Sequence, residues 1–316
     1  MNDFLKTMPQ RTAFGLALCE LGKENSRVAV LDADVSPSTQ THLFAKEFPQ
    51  RFFQCGIAEQ NMVGIAAGLS AQGWIPFVSA FAVFLVHRAG DQVRNAVAHP
   101  RANVKLNGSY AGLPTGRAGA THSCVEDIAV MRCLPNMTIF DPADALETLL
   151  FARLAAETDG PVYLRTVRCD VPPVFDENHK IALGKAVPMK DGGDVTVIST
   201  GMMTARALEA VNSLERQGIR AGLIHMPTIK PIDEDAILAA AAKTGRIVTV
   251  ENHSVIGGLG SAVCEVTAKA LPCRVTRCGY QDIFLESGDD ELLFDRYGLS
   301  ARAIEKSVQG ALGTAQ

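Results

Sequence analysis

Short apolar runs and amphipathic helical patterns alternate along nearly the whole chain, and that alternation excludes most folds at once. Helical periodicity covers 11–24, 58–72, 84–98, 126–134 and 143–157, with strand-like runs at 27–32, 75–79, 103–106, 137–140 and 162–165 between them. The pattern lapses between about 170 and 193, where Pro172-Pro173, Pro188 and Gly192-Gly193 mark a linker. It then resumes with strands at 195–199, 220–225, 246–250 and 273–277, helices at 203–217, 233–243 and 259–269, and a last helix from about 300. Strands separated by helices pair in parallel with helices on both faces. The expected fold is therefore α/β, with two doubly wound domains of unequal size, 1–185 and 186–316.

A length of 316 residues suits two such domains, and the net charge of −4 argues against nucleic acid as a partner. The stretch from Gln60 to Val86 carries no charge and is long enough to span a bilayer. Gly64, Gly68, Gln72, Gly73 and Pro76 break it, so it reads as helix, turn with Gly73 as the cap, and buried strand. No membrane contact is expected. The N-terminal residues lack the charged and apolar regions of a signal peptide, and the eight cysteines form no Cys-x-x-Cys pair. Reduced thiols in a cytoplasmic protein follow, and the spacing suggests no metal site.

One carboxylate stands out. In Phe52-Phe53-Gln54-Cys55-Gly56-Ile57-Ala58-Glu59-Gln60-Asn61 an extended apolar segment gives way to a helix, with Gly56 easing the turn. Glu59 then falls in the first helical turn, near the helix's positive end and at the sheet edge where open α/β folds bind ligands. An acid there serves the helix dipole equally well. Phe81 and Phe84, three apart on one helical face, are either core residues or a surface on which a flat ring can stack. His122 beside Thr121 reads as a loop histidine or a site residue. Ser38 and Asp34 suit a loop or a cap as well as a ligand. Gly257-Gly258-Leu259-Gly260 reads as a tight turn against a closely packed helix.

Five runs, taken in order, resemble the C-terminal half of the transketolase family. They are Gly56-Ile57-Ala58-Glu59-Gln60-Asn61; Phe81-Ala82-Val83-Phe84 with Arg88-Ala89-Gly90-Asp91-Gln92; Gly119-Ala120-Thr121-His122 with Glu126-Asp127-Ile128-Ala129; Met226-Pro227-Thr228-Ile229-Lys230-Pro231-Ile232-Asp233; and Glu251 through Gly260. The resemblance implies a thiamine-diphosphate pyrimidine-binding domain followed by a smaller transketolase C-terminal-like domain. It implies that Glu59 hydrogen-bonds N1′ of the cofactor's aminopyrimidine and promotes its imino tautomer. Phe84, or failing it Phe81, would stack on the pyrimidine, with Asp34 near the cofactor. His122 would line the substrate channel, Ser38 would sit on the phosphate side, and Arg165 and Arg168 would bind the phosphate.

The chain also departs from the family pattern. Tyr110 stands where a family histidine does, and Arg117-Ala118 where an acidic pair does, which alters the hydroxyls and charges the channel favours. The Gly-Asp-Gly and spaced Asn that hold Mg2+ and the diphosphate have no counterpart here. A separate N-terminal subunit would carry that domain, and an α2β2 heterotetramer would form the site. The expected activity is transfer of a two-carbon ketol unit between sugar phosphates by a split transketolase. The alternatives are the beta subunit of a 2-oxoacid dehydrogenase decarboxylating component and a non-catalytic assembly subunit. Deoxyxylulose-phosphate synthase fits less well, being normally one long chain.

Overall fold

The computed structural model describes residues 2–115 and 118–313. The first sheet takes six strands from before the linker: β1 (Val28–Asp32), β2 (Phe52–Gln54), β3 (Ile75–Phe81), β4 (Lys105–Ser109), β5 (Thr138–Phe140) and β6 (Val162–Thr166). Further along come β7 (Val187–Lys190), β8 (Val195–Ser199), β9 (Ala221–His225), β10 (Thr228–Lys230), β11 (Arg246–Ser254) and β12 (Arg274–Tyr280). They form a seven-stranded sheet in the order β10-β5-β6-β4-β3-β1-β2 and a five-stranded sheet in the order β12-β11-β8-β9-β7. Pairing within them is parallel except at the edges, where β10 and β7 run antiparallel to β5 and β9. A two-residue antiparallel pairing of Met8–Pro9 with Asp170–Val171 stands apart from both. The alternating units therefore fold as two parallel-sheet layers, as the sequence predicts.

Every residue of β3 is buried, because a central parallel strand is covered on both faces. Helices α1 (Gln10–Glu24) and α2 (Glu59–Ala71) cover the opposite faces of the first sheet. On one, α1 packs with α3 (Ala145–Glu157) over Val28, Val30 and Phe77. On the other, α2 covers Leu31, Val78 and Leu106. The chain runs outward from β1 to β2, then recrosses β1 to reach β3. That reversal is the topological switch point where open α/β sheets take ligands.

Three features depart from the sequence reading. Residues 84–98 are wound as two π-helical turns, Phe84–Arg88 and Val93–Ala98, around a short α segment. The wider turn closes with Ala89 N–H donating to Phe84 O at 3.1 Å. The linker contains strand β7, and β10 crosses back from the second half of the chain to extend the first sheet. Both are edge strands of three or four residues, too short to carry a periodic signal. Among the described residues no helix is long and apolar enough to cross a membrane, and all eight cysteines are free thiols.

Candidate active site

The C-terminal ends of β1, β2, β3, β4 and β6 open on one edge of the first sheet. After β2, Gly56 takes φ +71, and the chain turns into α2 with Glu59 as its first residue. The Glu59 side chain is only 2 % exposed. A carboxylate so placed needs a partner, because removing a charge from water without one is costly. Arg88, from the π-helical turn, supplies it: Nη1 donates to both Glu59 oxygens at 2.9 Å. Arg88 is itself 44 % exposed and lies over the Phe84 ring at 4.3 Å. The cation is half in solvent; the anion is not.

Phe81 is the last residue of β3 and Phe84 opens the π turn, so they do not share a helical face as the spacing suggests. They meet across the strand–helix junction instead, with ring centroids 5.7 Å apart and nearly parallel. Phe81 stacks on Tyr110 at 4.2 Å, and the His122 ring meets Phe81 and Phe84 edge-on at 5.8 and 5.6 Å. Glu59, Phe81, Phe84, Tyr110 and His122 are thus linked through one aromatic ladder and the Arg88 bridge. Tyr110 holds φ +59, a conformation bulky residues seldom adopt, which turns its ring into the ladder as the chain leaves β4.

Behind Tyr110 stands a cation that the sequence reading missed. Arg11, in the first turn of α1, donates from Nη1 to Tyr110 Oη at 3.1 Å and to Ser38 O at 2.9 Å. Its Nε is buried and has no acceptor among the described residues. Ser109 Oγ, at the end of β4, is likewise buried without a partner there. Exposed Arg168 donates to Thr115 O at 2.9 Å, and both guanidinium groups lie within 5.7 Å of the Tyr110 ring centre. A cation at a helix N-terminus opposes the macrodipole, and that local inconsistency is the signal that marks Arg11. Asp34, exposed at φ +63, donates its N–H to Gln54 Oε1 at 2.7 Å, and Ser38 is half-buried on the same edge. Arg117 lies outside the described residues; Ala118 is exposed.

Arg165 is a correction. The resemblance has it forking onto a phosphate, but its side chain is 1 % exposed and its donors are committed. Nε and Nη2 donate to Asp127 at 2.8 and 3.2 Å, Nη1 to Asp141 at 3.0 Å, and Nη2 also to Asn252 O at 3.0 Å. Burial raises both carboxyls. For Asp127 the guanidinium, with His253 nearby, more than reverses this and holds it below the ordinary aspartate range. Asp141 meets the guanidinium through one oxygen and stays above that range. The sequence places Arg165 at the end of a strand but does not show that Asn252, from the second domain, reaches it.

The same buried cluster holds the loop that carries Tyr110 and His122. Asn252 Oδ1 accepts from Leu113 N–H at 3.0 Å and from Tyr280 Oη at 2.7 Å, while its Nδ2 donates to Ala111 O at 3.3 Å. Gly112, at φ +73, packs so tightly on the Asn252 amide that a Cβ would overlap it. Ser254 N–H donates to Val125 O at 2.6 Å. The second domain therefore does more than pack beside the first. It holds the segment that follows Tyr110 and the one that follows His122.

Comparison with known proteins agrees with this architecture. Residues 6–173 match the family model described as the transketolase pyrimidine binding domain, and residues 184–304 the transketolase C-terminal domain. The chain is 41 % identical over 292 residues to a 6-deoxy-6-sulfo-D-fructose transketolase subunit of a Clostridium strain, covering 92 % of this chain and 90 % of that protein. It is 40 % identical over 299 residues to one of the subunits of an apulose-4-phosphate transketolase from Phocaeicola vulgatus, covering 94 % and 96 %. A solved split-gene transketolase, described as an inactive beta4 tetramer, superposes with a TM-score of 0.89 at 47 % identity over 98 % of this chain and 99 % of that one. A transketolase from Campylobacter jejuni shares the fold at a TM-score of 0.83 and 23 % identity, this chain covering 47 % of it.

Proposed function

The chain belongs to the transketolase family, and we propose that it is the pyrimidine-side subunit of a split transketolase that moves a two-carbon ketol unit between sugars. The observation that carries this reading is the buried Glu59 carboxylate facing the sheet edge, with an aromatic ladder beside it. Those residues fit the pyrimidine half of thiamine diphosphate. A buried acid can share a proton with a ring nitrogen, and Phe84, with Phe81 behind it, offers the flat apolar surface a heteroaromatic ring needs. Thiamine diphosphate, when bound, supplies the carbanion-stabilising chemistry of the transfer.

The protein's own part is positional and protonic. Arg88 holds and orients Glu59 through Nη1, and its half-exposed guanidinium would give way to the pyrimidine edge of a bound cofactor. Asp34 stands at the cofactor side of the edge, and His122 lines the approach to Phe84. Arg11 and Arg168, with Tyr110 between them and Ser38 alongside, form the anion end of the channel. Arg11 Nε is buried without an acceptor among the described residues, and a phosphate or sulfonate oxygen is an acceptor of the kind a guanidinium takes. The sulfofructose and apulose-phosphate relatives are named for sugars with anionic tails, which supports a ketose substrate of that class.

Mg2+ and the diphosphate are held by an N-terminal partner subunit, in an α2β2 assembly in the cytoplasm. The experiment combines this chain with that subunit, thiamine diphosphate and Mg2+, and follows ketol transfer from a ketose phosphate to an aldose. Replacing Glu59 by Gln lowers kcat about 10²- to 10⁴-fold while the assembly persists. Unchanged transfer in Glu59→Gln sinks the catalytic reading in favour of an assembly role. Turnover of a 2-oxo acid with an electron acceptor, and none of ketoses, assigns the chain to the dehydrogenase class instead.

A further inference from the structure

His87, Cys124 and Glu126 come together beside the Phe84–Arg88 turn from parts of the chain that no spacing rule connects. His87 lies in the Phe84–Arg88 turn, next to the arginine that holds Glu59. Cys124 and Glu126 follow His122 by two and four residues. One ligand atom from each of the three lies within 4.8 Å of the others. His87 Nε2 and Glu126 Oε1 already touch at 2.7 Å. We propose that these three side chains form a binding site for a borderline-soft divalent cation of the zinc type, with a fourth position left to water.

The donor set argues for that class of ion. Imidazole nitrogen, thiolate sulfur and one carboxylate oxygen are ligands for Zn2+ or Co2+, whereas Mg2+ demands oxygen donors and keeps its waters. Tetrahedral ligands at about 2.0–2.3 Å from zinc lie roughly 3.3–3.8 Å from one another, so side-chain shifts of about 1 Å complete the geometry.

The surroundings already hold the ligands. Glu126 Oε2 accepts from Val125 N–H at 2.7 Å, which steadies the carboxylate while Oε1, now on His87 Nε2, exchanges that contact for the ion. Graded burial adds a path: Cys124 is buried, Glu126 intermediate and His87 exposed, so the ion enters from solvent against an inner thiol.

Coordination replaces the thiol proton of Cys124, which passes to solvent, and no redox change is involved. A bound ion ties the Phe84–Arg88 turn to the segment behind His122, and so fixes the spacing between them.

The test uses the full chain and the metal alone. Calorimetric titration with Zn2+ gives one tight site per chain, undisturbed by excess Mg2+. Co2+ gives a thiolate charge-transfer band together with the strong ligand-field bands of a tetrahedral site. Loss of an outer-shell partner alone weakens metal sites about 10- to 100-fold, so His87→Gln and Glu126→Gln weaken Zn2+ by roughly a hundredfold or more. Both positions are outside the core, so the variants fold, which unchanged circular dichroism verifies. Cys124→Ser removes the charge-transfer band; Cys133→Ser, at an exposed cysteine outside the cluster, keeps it. The proposal is overturned if no stoichiometric Zn2+ uptake occurs, or if His87→Gln binds Zn2+ and colours with Co2+ as the parent chain does.

Discussion

The two arginine–carboxylate arrangements beside the cleft are built to opposite ends. Around Arg165 every charged member is buried, and four of the guanidinium's five N–H groups are spent on Asp127, Asp141 and Asn252 O. Around Glu59 and Arg11 the charges are only partly spent. Arg88 is half in solvent above a buried acid, and Arg11 keeps a buried N–H with no acceptor among the described residues. The first arrangement joins the two domains and steadies the loop that bears Tyr110 and His122. The second leaves donors and a carboxylate that a ligand can take over. The difference is one of completeness: the first cluster has its charges fully partnered inside the fold, and the second retains hydrogen-bonding capacity.

The harshest way to break that comparison is to remove the closed cluster's cation. Arg165→Met leaves Asp127 and Asp141 buried without their counter-charge, so chemical denaturation should show a loss of about 3–5 kcal/mol. Arg165→Lys does not restore it, because an ammonium lacks the fork that spans both aspartates and Asn252 O. A denaturation midpoint close to the parent chain's in Arg165→Met would mean the cluster does not bind the domains together.

Glu251 sharpens the closed side next. It is fully buried on β11, accepts from Leu259 and Gly260 N–H at 2.6 and 2.9 Å, and is raised from 4.5 to about 7, chiefly by burial. Its folded pKa lies above its unfolded one, so the proton is bound more tightly in the native chain. Its contribution is complete below about pH 4.5 and is lost as pH rises through 7, a change on the order of 3 kcal/mol. Glu251→Gln therefore flattens the stability–pH curve between those values. A parent curve that rises with pH over that window, and is unaltered by the substitution, would refute the assignment.

Arg11 tests the open side, with the smallest effect on the fold. A charge-assisted hydrogen bond contributes roughly 1.5–3 kcal/mol, so Arg11→Met raises KM for a ketose with an anionic tail about 10- to 100-fold. Melting temperature changes little, and kcat is affected less than KM. A large drop in thermal stability with KM unchanged would move Arg11 into the structural class beside Arg165.

Much of this arrangement is legible in the chain itself. The strand–helix alternation predicts both parallel sheets, and the turn at Gly56 places Glu59 where the structure has it. Phe81 and Phe84 are identified as a pair, although the contact crosses a strand end and a π turn rather than running along one helix. Where the reading failed, the deciding partners were distant in sequence. Arg165 on β6 looks like a solvent-facing cation until residues 127, 141 and 252 are brought around it. Arg11 looks like a helix-surface cation until Tyr110 and Ser38 reach it.

By itself, then, the sequence determined what depends on a few neighbouring residues: element type, order, the strand–helix turns and the acid at the start of α2. These follow from backbone preferences and apolar periods that act over one or two turns. Only the tertiary structure decided which charges are spent and which are left open, and that His87, Cys124 and Glu126 meet. A side chain's chemistry is set by the dielectric and the partners around it, and here those come from segments dozens of residues apart.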